Sequence, residues 1–337
     1  MQGKAPDFWQ TRALPALLLL PLAGVFAVLA WMRRALYRSG LIRAVPVPVP
    51  VIVVGNIAVG GSGKTPAVAW LADRLREAGF MPGIVSRGYG GKSATAALVS
   101  ADADPASFGD EPVLLAGLTT CPVVVGADRP AAVMALLHAH PECDVIVSDD
   151  GLQHYRLRRD VEVIVLDETA LGNRWLLPAG PLREGLWRLR SADVIVAHGE
   201  LSSGVRARLG TVPIASMKLE GDRVVSLGLP AETRSLDDFA GMRVHAVAGI
   251  GRPERFFDQL RTRGLTVVPH PFPDHHRFSA DDLAFAPGEP KILTAKDAVK
   301  CRPFAPADTW EFPVTALIEP VALERILEKL RHGRQAA

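Results

Sequence analysis

The sequence predicts an α/β protein: a mostly parallel sheet with helices on both faces, a smaller α/β unit after it and an apolar helix before it. Three observations carry this expectation. Short β-branched runs alternate with amphipathic helical stretches up to about residue 210, the pattern of strands joined by crossover helices. Near that point the alternation changes and a fresh strand-loop-helix-strand unit begins. At the other end, residues 13–32 carry no charge at all. The expected division is residues 1–43 (membrane-associated helix), 44–210 (main domain), 211–229 (hairpin linker) and 230–337 (second domain). A chain of 337 residues is long enough for about two domains.

The first element is ALPALLLLPLAGVFAVLAWM, about the length that crosses a bilayer core as a helix. Arg12 precedes it, and Arg33, Arg34, Arg38 and Arg43 follow. A signal peptide fits less well, because no A-x-A site precedes the arginines. A buried core helix is the other alternative. Trp31 and the arginines suit a headgroup boundary on a cytoplasmic face. Pro15, Pro21 and Gly24 leave open whether the segment spans the bilayer or lies in one leaflet.

After the linker AVPVPVP, VIVVGN reads as a buried parallel strand and TPAVAWLADRLREAGF as an amphipathic helix, with Ala67, Leu71 and Leu75 on one face and Gly79 ending it. PGIVSRGYGGK is a strand entering a glycine-rich loop. CPVVVGADR is a strand and AAVMALLHAH a helix. CDVIVSDDGLQH, DVEVIVLDE and ADVIVAHGE are three further strands ending in polar residues. In such sheets ligands sit beyond the carboxyl ends of the strands, where these polar clusters fall. VPIASMKLEGDRVVSLG alternates and turns at Gly221-Asp222, as a hairpin would. RVHAVAGIGRPERFFDQLRTRGLTVV restarts the strand-loop-helix-strand pattern, and KILTAKDAVKC adds a strand and a loop.

The net charge of +2 is too small to argue for nucleic acid, and none is expected as a partner. Cys121, Cys143 and Cys301 are widely spaced and odd in number. They exclude a disulfide framework or a structural zinc site and suit a reducing compartment.

The chemistry begins with GNIAVGGSGKTP. Gly60, Gly61, Ser62 and Gly63 lie between a buried strand and a helix that starts with Lys64, Thr65 and Pro66. Bare backbone N–H groups opening a helix form an anion cradle, aided by the helix dipole. The lysine reaches outer phosphates and the hydroxyl holds magnesium. Pro66 is preset for the first turn. Ala58 stands where G-x-x-x-x-G-K-[ST] has its first glycine, yet the strand-then-helix context is the required one. The element is therefore read as a P-loop of the NTPase type, binding ATP. A nucleotide site of this class wants an acidic residue ending a second strand to hold the metal, and Asp149 and Asp150 supply two.

Other clusters are less specific. SFGDEP places Asp110 and Glu111 on a loop between helical stretches, where a solvated acidic turn is the bland alternative. SRGYGGK offers Arg87, Tyr89 and Lys92 on a loop able to close over phosphate. PAGPLRE offers Arg183 to neutralise phosphate charge. PDHHRF carries His275 and His276, which point apart on a strand; one of them as proton acceptor or orienter of a carboxylate is the credible role.

In order, GNIAVGGSGKTP, SRGYGGK, GDEP, DDGLQH, AGPLRE, GIGRPERFF, DHH and TAKDAVK resemble the tetraacyldisaccharide 4′-kinase family, from the apolar helix to about Cys301. The resemblance implies transfer of the γ-phosphate of ATP to the 4′-hydroxyl of an acylated disaccharide phosphate glycolipid in lipid A biosynthesis. It implies a site at the cytoplasmic surface of a bacterial inner membrane; a monomer is expected. Lys64 and Thr65 would bind triphosphate and Mg2+, with Asp149 or Asp150 and Glu111 completing the metal environment. Asp110 would accept the hydroxyl proton and His275 would pair with it across a cleft. Gln153, His154 and Arg183 would line the site. A role for TAKDAVK does not follow. The rival readings are a membrane-tethered NTP switch, which would not need GDEP or the histidine, and a secreted protein, which the phosphate loop opposes.

Overall fold

Two sheets turn the carboxyl ends of their parallel strands toward one cleft. The computed structural model describes residues 6–88, 95–228 and 232–335. Helices α1 (Leu14–Leu18) and α2 (Leu20–Arg38) come first. The chain continues with β1 (Val51–Gly55), α3 (Lys64–Glu77), β2 (Pro82–Ser86), β3 (Ala97–Val99), α4 (Pro105–Phe108), α5 (Asp110–Leu118) and β4 (Val123–Val125). Next are α6 (Arg129–Ala139), β5 (Val145–Asp149), β6 (Val161–Leu166), β7 (Val194–His198), α7 (Ser203–Leu209) and β8 (Ile214–Glu220). The second group is β9 (Arg223–Ser226), β10 (Thr233–Ser235), β11 (Arg243–Ala248), α8 (Pro253–Thr262), β12 (Thr266–Pro271), β13 (Lys291–Thr294), α9 (Ala295–Cys301) and β14 (Thr309–Phe312). Finally, β15 (Thr315–Ile318) and α10 (Val321–Gln335) return to the first sheet.

Among the described residues the first sheet has nine strands, ordered β15-β8-β7-β6-β1-β5-β2-β4-β3, and the second has six, ordered β10-β9-β14-β13-β11-β12. Strand β1 lies between β5 and β6, so the chain leaves it where the strand order reverses. All five of its residues are buried. Ile52 and Val54 join the core beneath α3, α5 and α10, while Val51 and Val53 join the one beneath α6 and α7. That period of two, with both faces apolar, is why the run reads as continuous rather than alternating.

The structure departs from the sequence expectation in four places. Residues 211–229 are not a hairpin: β8 pairs with β7 and β15, whereas β9 pairs with β10 and β14 in the other sheet. The Gly221 turn is a crossing point, where a side chain would come within 2.6 Å of the Pro313 carbonyl on the returning connection. Residues 230–337 are not all one unit either, because β15 and α10 cover the first sheet. Lastly, Asp110 and Glu111 open helix α5 instead of lying on a loop, and TAKDAVK is mostly helix α9. A T-x-x-D capping box, Thr294 to Asp297, marks that helix in the sequence.

Among the described residues, α2 is the one helix long and apolar enough to cross a membrane. Only 11% of its apolar window is buried, which removes the core-helix alternative. Leu18, Val28 and Trp31 are 71%, 61% and 63% exposed. The segment is nonetheless pinned to the protein. Arg34 is buried over the Trp187 ring and donates to Ser191 Oγ at 2.8 Å. Ahead of the helices, Trp9 Nε1 donates to the Pro178 carbonyl at 2.9 Å, and Asn173 Nδ2 to that of Thr11 at 3.0 Å.

Candidate active site

The glycine loop leaves β1 and ends at Gly63, whose left-handed φ of +87° caps α3. A side chain there would meet His198 Nδ1 at 3.2 Å, so glycine is demanded on two counts. Asn56 Nδ2 donates to the buried Ser62 Oγ at 3.1 Å and fixes the loop from within. Ala58 is buried and bridges to Leu182 in an antiparallel pair. Its φ is not left-handed, so the position has no need of glycine. Gly60, Gly61, Ser62, Gly63, Lys64, Thr65 and Pro66 all line a cavity of about 1360 Å³.

Strand β5 delivers the two aspartates beside this loop, and they differ sharply. Asp150 has a left-handed φ of +45°, a strained conformation of the kind that gathers at functional sites. It accepts from Arg183 Nη1 at 3.0 Å and lies 3.5 Å from Lys64 Nζ. Burial would raise its carboxyl, but Lys64 and Arg183 hold it far below the ordinary range. Asp149 is 1% exposed. Its Oδ2 accepts from Ser86 Oγ at 3.1 Å, while Oδ1 has no hydrogen-bond partner among the described residues. Burial, then the charges of Glu111 and Asp150, push it up to about 7. A buried, orphaned carboxylate oxygen facing two more carboxylates is the donor chemistry of a hard cation. No three acidic, histidine or cysteine side chains already form a metal cage among the described residues. The residues therefore fit a cation held by a few carboxylates with oxygens from elsewhere, as magnesium on a nucleotide is held.

Across the cleft, the loop after β12 brings His275 Nδ1 to 3.0 Å from Asp110 Oδ2. His275 adopts a left-handed φ of +59°, held by its N–H donating to the Gly249 carbonyl at 3.2 Å. Asp110 Oδ1 accepts the Glu111 N–H at 3.0 Å. Burial would raise Asp110, but the hydrogen bond from His275 and then the Lys296 charge hold it at about 2. The bond to Asp110 raises His275, opposed by burial and Lys296. The second histidine turns away: His276 Nε2 lies 3.2 Å from Asp282 Oδ2, packed against Phe272 and Phe278.

Arg87, Glu111, Asp150, Gln153, His154, Arg183 and His275 line the same cavity as the loop. Asp110 and Asp149 are buried and are not among the lining residues, though Asp110 reaches the cavity's edge through His275. Tyr89 and Lys92 fall outside the described residues. Burial, then Arg129 and Arg87, lower His154 to about 4, so it is a neutral ring at neutral pH. Gln153 Nε2 donates to the Asn56 carbonyl at 3.2 Å, beneath the loop. Phe26, Leu29, Ala30 and Arg33 of α2 close one side.

Sequence reasoning missed several groups. Arg252 and Arg255 at the start of α8 both reach Asp167, 1% exposed at the end of β6, at 2.5 Å. Arg255 also approaches His198 Nδ1 at 3.3 Å. Both arginines line the cavity, and a side chain at Gly251 would lie 3.1 Å from the Gly61 nitrogen, so the second sheet's loops rest on the phosphate loop. The run GIGRPERFF was the available signal. Lys296, in the TAKDAVK segment for which no role followed from the sequence, also lines the cavity.

A phosphate cradle at the switch point of a parallel sheet, with carboxylates ending the next strand, defines a phosphotransferase of the P-loop class. The family described as tetraacyldisaccharide-1-P 4′-kinase matches residues 15–331, and the chain belongs to it. It is a kinase of lipid A biosynthesis. Among similar proteins, the tetraacyldisaccharide 4′-kinase of Aromatoleum aromaticum is 66% identical over 337 residues, all of both chains. That of Azoarcus sp. is 62% identical, covering 99% of this chain and 97% of the relative. The crystal structure of LpxK from Aquifex aeolicus in complex with ATP superposes with a TM-score of 0.79 at 31% identity, covering 94% of this chain and 99% of that one.

Proposed function

We propose that the chain transfers the γ-phosphate of ATP to the 4′-hydroxyl of tetraacyldisaccharide 1-phosphate, with Asp110 as the proton acceptor and His275 as its partner. The observation that carries this reading is the 3.0 Å contact between His275 and Asp110, bridging the two sheets beside the phosphate loop. A phosphate loop alone would serve an NTP switch equally well; a buried carboxylate-imidazole pair at its edge suits a reaction in which an acceptor hydroxyl must lose a proton.

The loop N–H groups and Lys64 take the triphosphate, and Arg183, now held by Asp150, is free to turn to the transferring phosphate. Thr65, Asp149 or Asp150, and Glu111 would hold Mg2+, which would supply charge neutralisation of the phosphate oxygens. Asp149 is the better-suited aspartate, because its buried Oδ1 has no hydrogen-bond partner among the described residues. Arg87, Gln153 and His154 contact the disaccharide phosphate, a role also proposed for Tyr89 and Lys92, which lie outside the described residues. Phosphoryl transfer through a loose transition state needs little more than this positioning. The low carboxyl of Asp110 keeps it ionised, ready to take a proton released late in the transfer.

Helix α2 lies along the cytoplasmic face of the bacterial inner membrane, since one of its faces borders the cavity and Arg34 is buried against the protein. The remaining apolar face is left for lipid, and the acylated substrate enters without leaving the bilayer. The test is incubation with ATP, magnesium and tetraacyldisaccharide 1-phosphate, with mass analysis of the lipid. Asp110→Ala should abolish the phosphate gain and leave ATP binding intact; undiminished turnover would remove Asp110 as the base.

A further inference from the structure

TAKDAVK is built to aim lysines at the cleft. Thr294 caps α9, its Oγ1 accepting the Asp297 N–H at 3.2 Å and donating to Asp297 Oδ2 at 2.7 Å. The fully buried Asp297 also accepts the Gly249 N–H at 2.8 Å, which ties the helix start to the loop after β11. From that fixed cap Lys296 Nζ reaches Glu111 Oε1 at 3.1 Å, His275 Nε2 at 3.4 Å, Asp274 Oδ1 at 3.5 Å and Asp110 Oδ2 at 3.9 Å. Lys300, one turn on, is spent on Asp297 at 2.7 Å and the His276 carbonyl at 3.1 Å.

We propose that Lys296 is a positioning residue for the Asp110–His275 pair, fixing the imidazole as the neutral tautomer with its proton on Nδ1. The inference rests on the reading of Asp110 as the base. Its ground is the pair of contacts on the two ring nitrogens: a carboxylate oxygen 3.0 Å from Nδ1 and an ammonium 3.4 Å from Nε2. An ammonium has three donors and no lone pair, so at 3.4 Å Nε2 is placed to accept from it, while Asp274 Oδ1, 3.9 Å from Nε2, is too far to accept a hydrogen bond there. The proton is then on Nδ1, donating to Asp110. The other tautomer would set a lone pair against the carboxylate and an N–H against the ammonium. An imidazolium, which the bond to Asp110 favours, would drive an N–H onto the Lys296 charge at 3.4 Å, and it is this repulsion that Lys296 sets against it.

The groups facing this ring are Asp110 and Glu111 from α5, Asp274 and His276 from its own loop, and Lys296 and Lys300 from α9. From α9, Lys296 touches members of both other elements, so a single side chain holds the loop after β12 against α5. With Nδ1–H donating to Oδ2, that oxygen's orientation is set, and Asp110 can take the hydroxyl proton without any change in the ring.

The experiment is a double-mutant cycle with a spectroscopic arm on the full-length protein. Lys296→Met is expected to lower kcat about 100-fold through misplacement of the pair, with KM for ATP little changed and Lys296→Arg recovering part of the loss. In a His275→Ala background the same substitution should cost almost nothing more. Imidazole nitrogen NMR of the nucleotide-free protein should show His275 protonated at Nδ1, and lose that preference in Lys296→Met. An equal cost of Lys296→Met in both backgrounds, or an unchanged tautomer, overturns the proposal. If Lys296→Met does not fold, the wild-type spectrum decides, since protonation at Nε2 also overturns it. An Asp110→Asn variant of full activity would instead sink the base reading, and the tautomer result would still stand or fall by itself.

Discussion

Replacing Asp149 with asparagine is expected to stabilise the nucleotide-free protein while removing its kinase activity. The native carboxyl is raised from 3.8 to about 7, by burial first and then by Glu111 and Asp150. For an acid raised on folding, the charged form is disfavoured in the native state. The penalty is absent below pH 3.8, grows as pH rises, and is complete above about 7. At about 1.4 kcal/mol per pH unit this rise corresponds to at most about 4 kcal/mol. Asparagine keeps an oxygen for Ser86 Oγ but sets an amide where the orphaned Oδ1 stood, so about 1–3 kcal/mol is the realistic gain. Urea unfolding in chelator at pH 8 and at pH 5 measures it, with the difference between variant and wild type shrinking toward the lower pH. Added magnesium should then stabilise the wild type more than the variant. An asparagine variant less stable at pH 8, or a difference equal at both pH values, would refute the argument that these carboxylates are held in mutual repulsion.

Three further outcomes are expected. His275→Ala should lower kcat by about 100-fold, the low end of general-base effects, whereas His276→Ala should act mainly on stability, because that ring packs against Phe272 and Phe278; steady-state kinetics with thermal melts separates the two. Arg188 is fully buried, 2.7 Å from Glu162 and 3.3 Å from Glu184. Arg188→Met should therefore cost about 1–3 kcal/mol in denaturant unfolding, because buried Glu184 loses its cation and keeps only Tyr155 and Gln153 as donors, while Glu162 retains Arg159 at 3.2 Å. Leu18→Glu with Leu22→Glu, at 71% and 56% exposure, should weaken vesicle flotation by about 30-fold or more while the purified protein keeps its fold, taking about 1 kcal/mol or more per leucine. A double variant that still floats would move the membrane contact elsewhere.

Much of the first sheet was legible because its signals are local. Buried strands such as VIVVG and VIVSD are apolar on both faces, the helix after the loop shows its stripe, and the glycines of the phosphate loop are demanded by backbone conformation. Asp149 and Asp150 were readable as a pair, since a strand end beside such a loop is where a metal carboxylate belongs. Which of the two is free was not readable. Lys64 and Arg183, at distant sequence positions, converge on Asp150 and leave Asp149 bare. The hairpin failed for a related reason. Alternation and a Gly-Asp turn describe how a strand could pair, but not which strand pairs with it; β8 found β7 and β15 instead. The TAKDAVK helix was within reach, because Thr294 and Asp297 have capping-box spacing.

By itself, then, the sequence determined the phosphate cradle, the parallel sheet that presents it, and the apolar helix ahead of them. These depend on near-neighbour chemistry: backbone angles that only glycine accepts, periodicity that matches a strand or helix, and a charge-free run long enough to meet lipid. The tertiary structure decided the contacts on which the chemistry turns, and of these only the pairing of His275 with Asp110 was expected beforehand, from the family resemblance and not from any local signal. His275 meets Asp110 at a separation of 165 residues, Lys296 meets Glu111 at 185, and Arg252 meets Asp167 at 85. No local preference encodes such pairings. They arise because two sheets aim their strand ends at one cleft, and the charges gathered there can be satisfied only by one another.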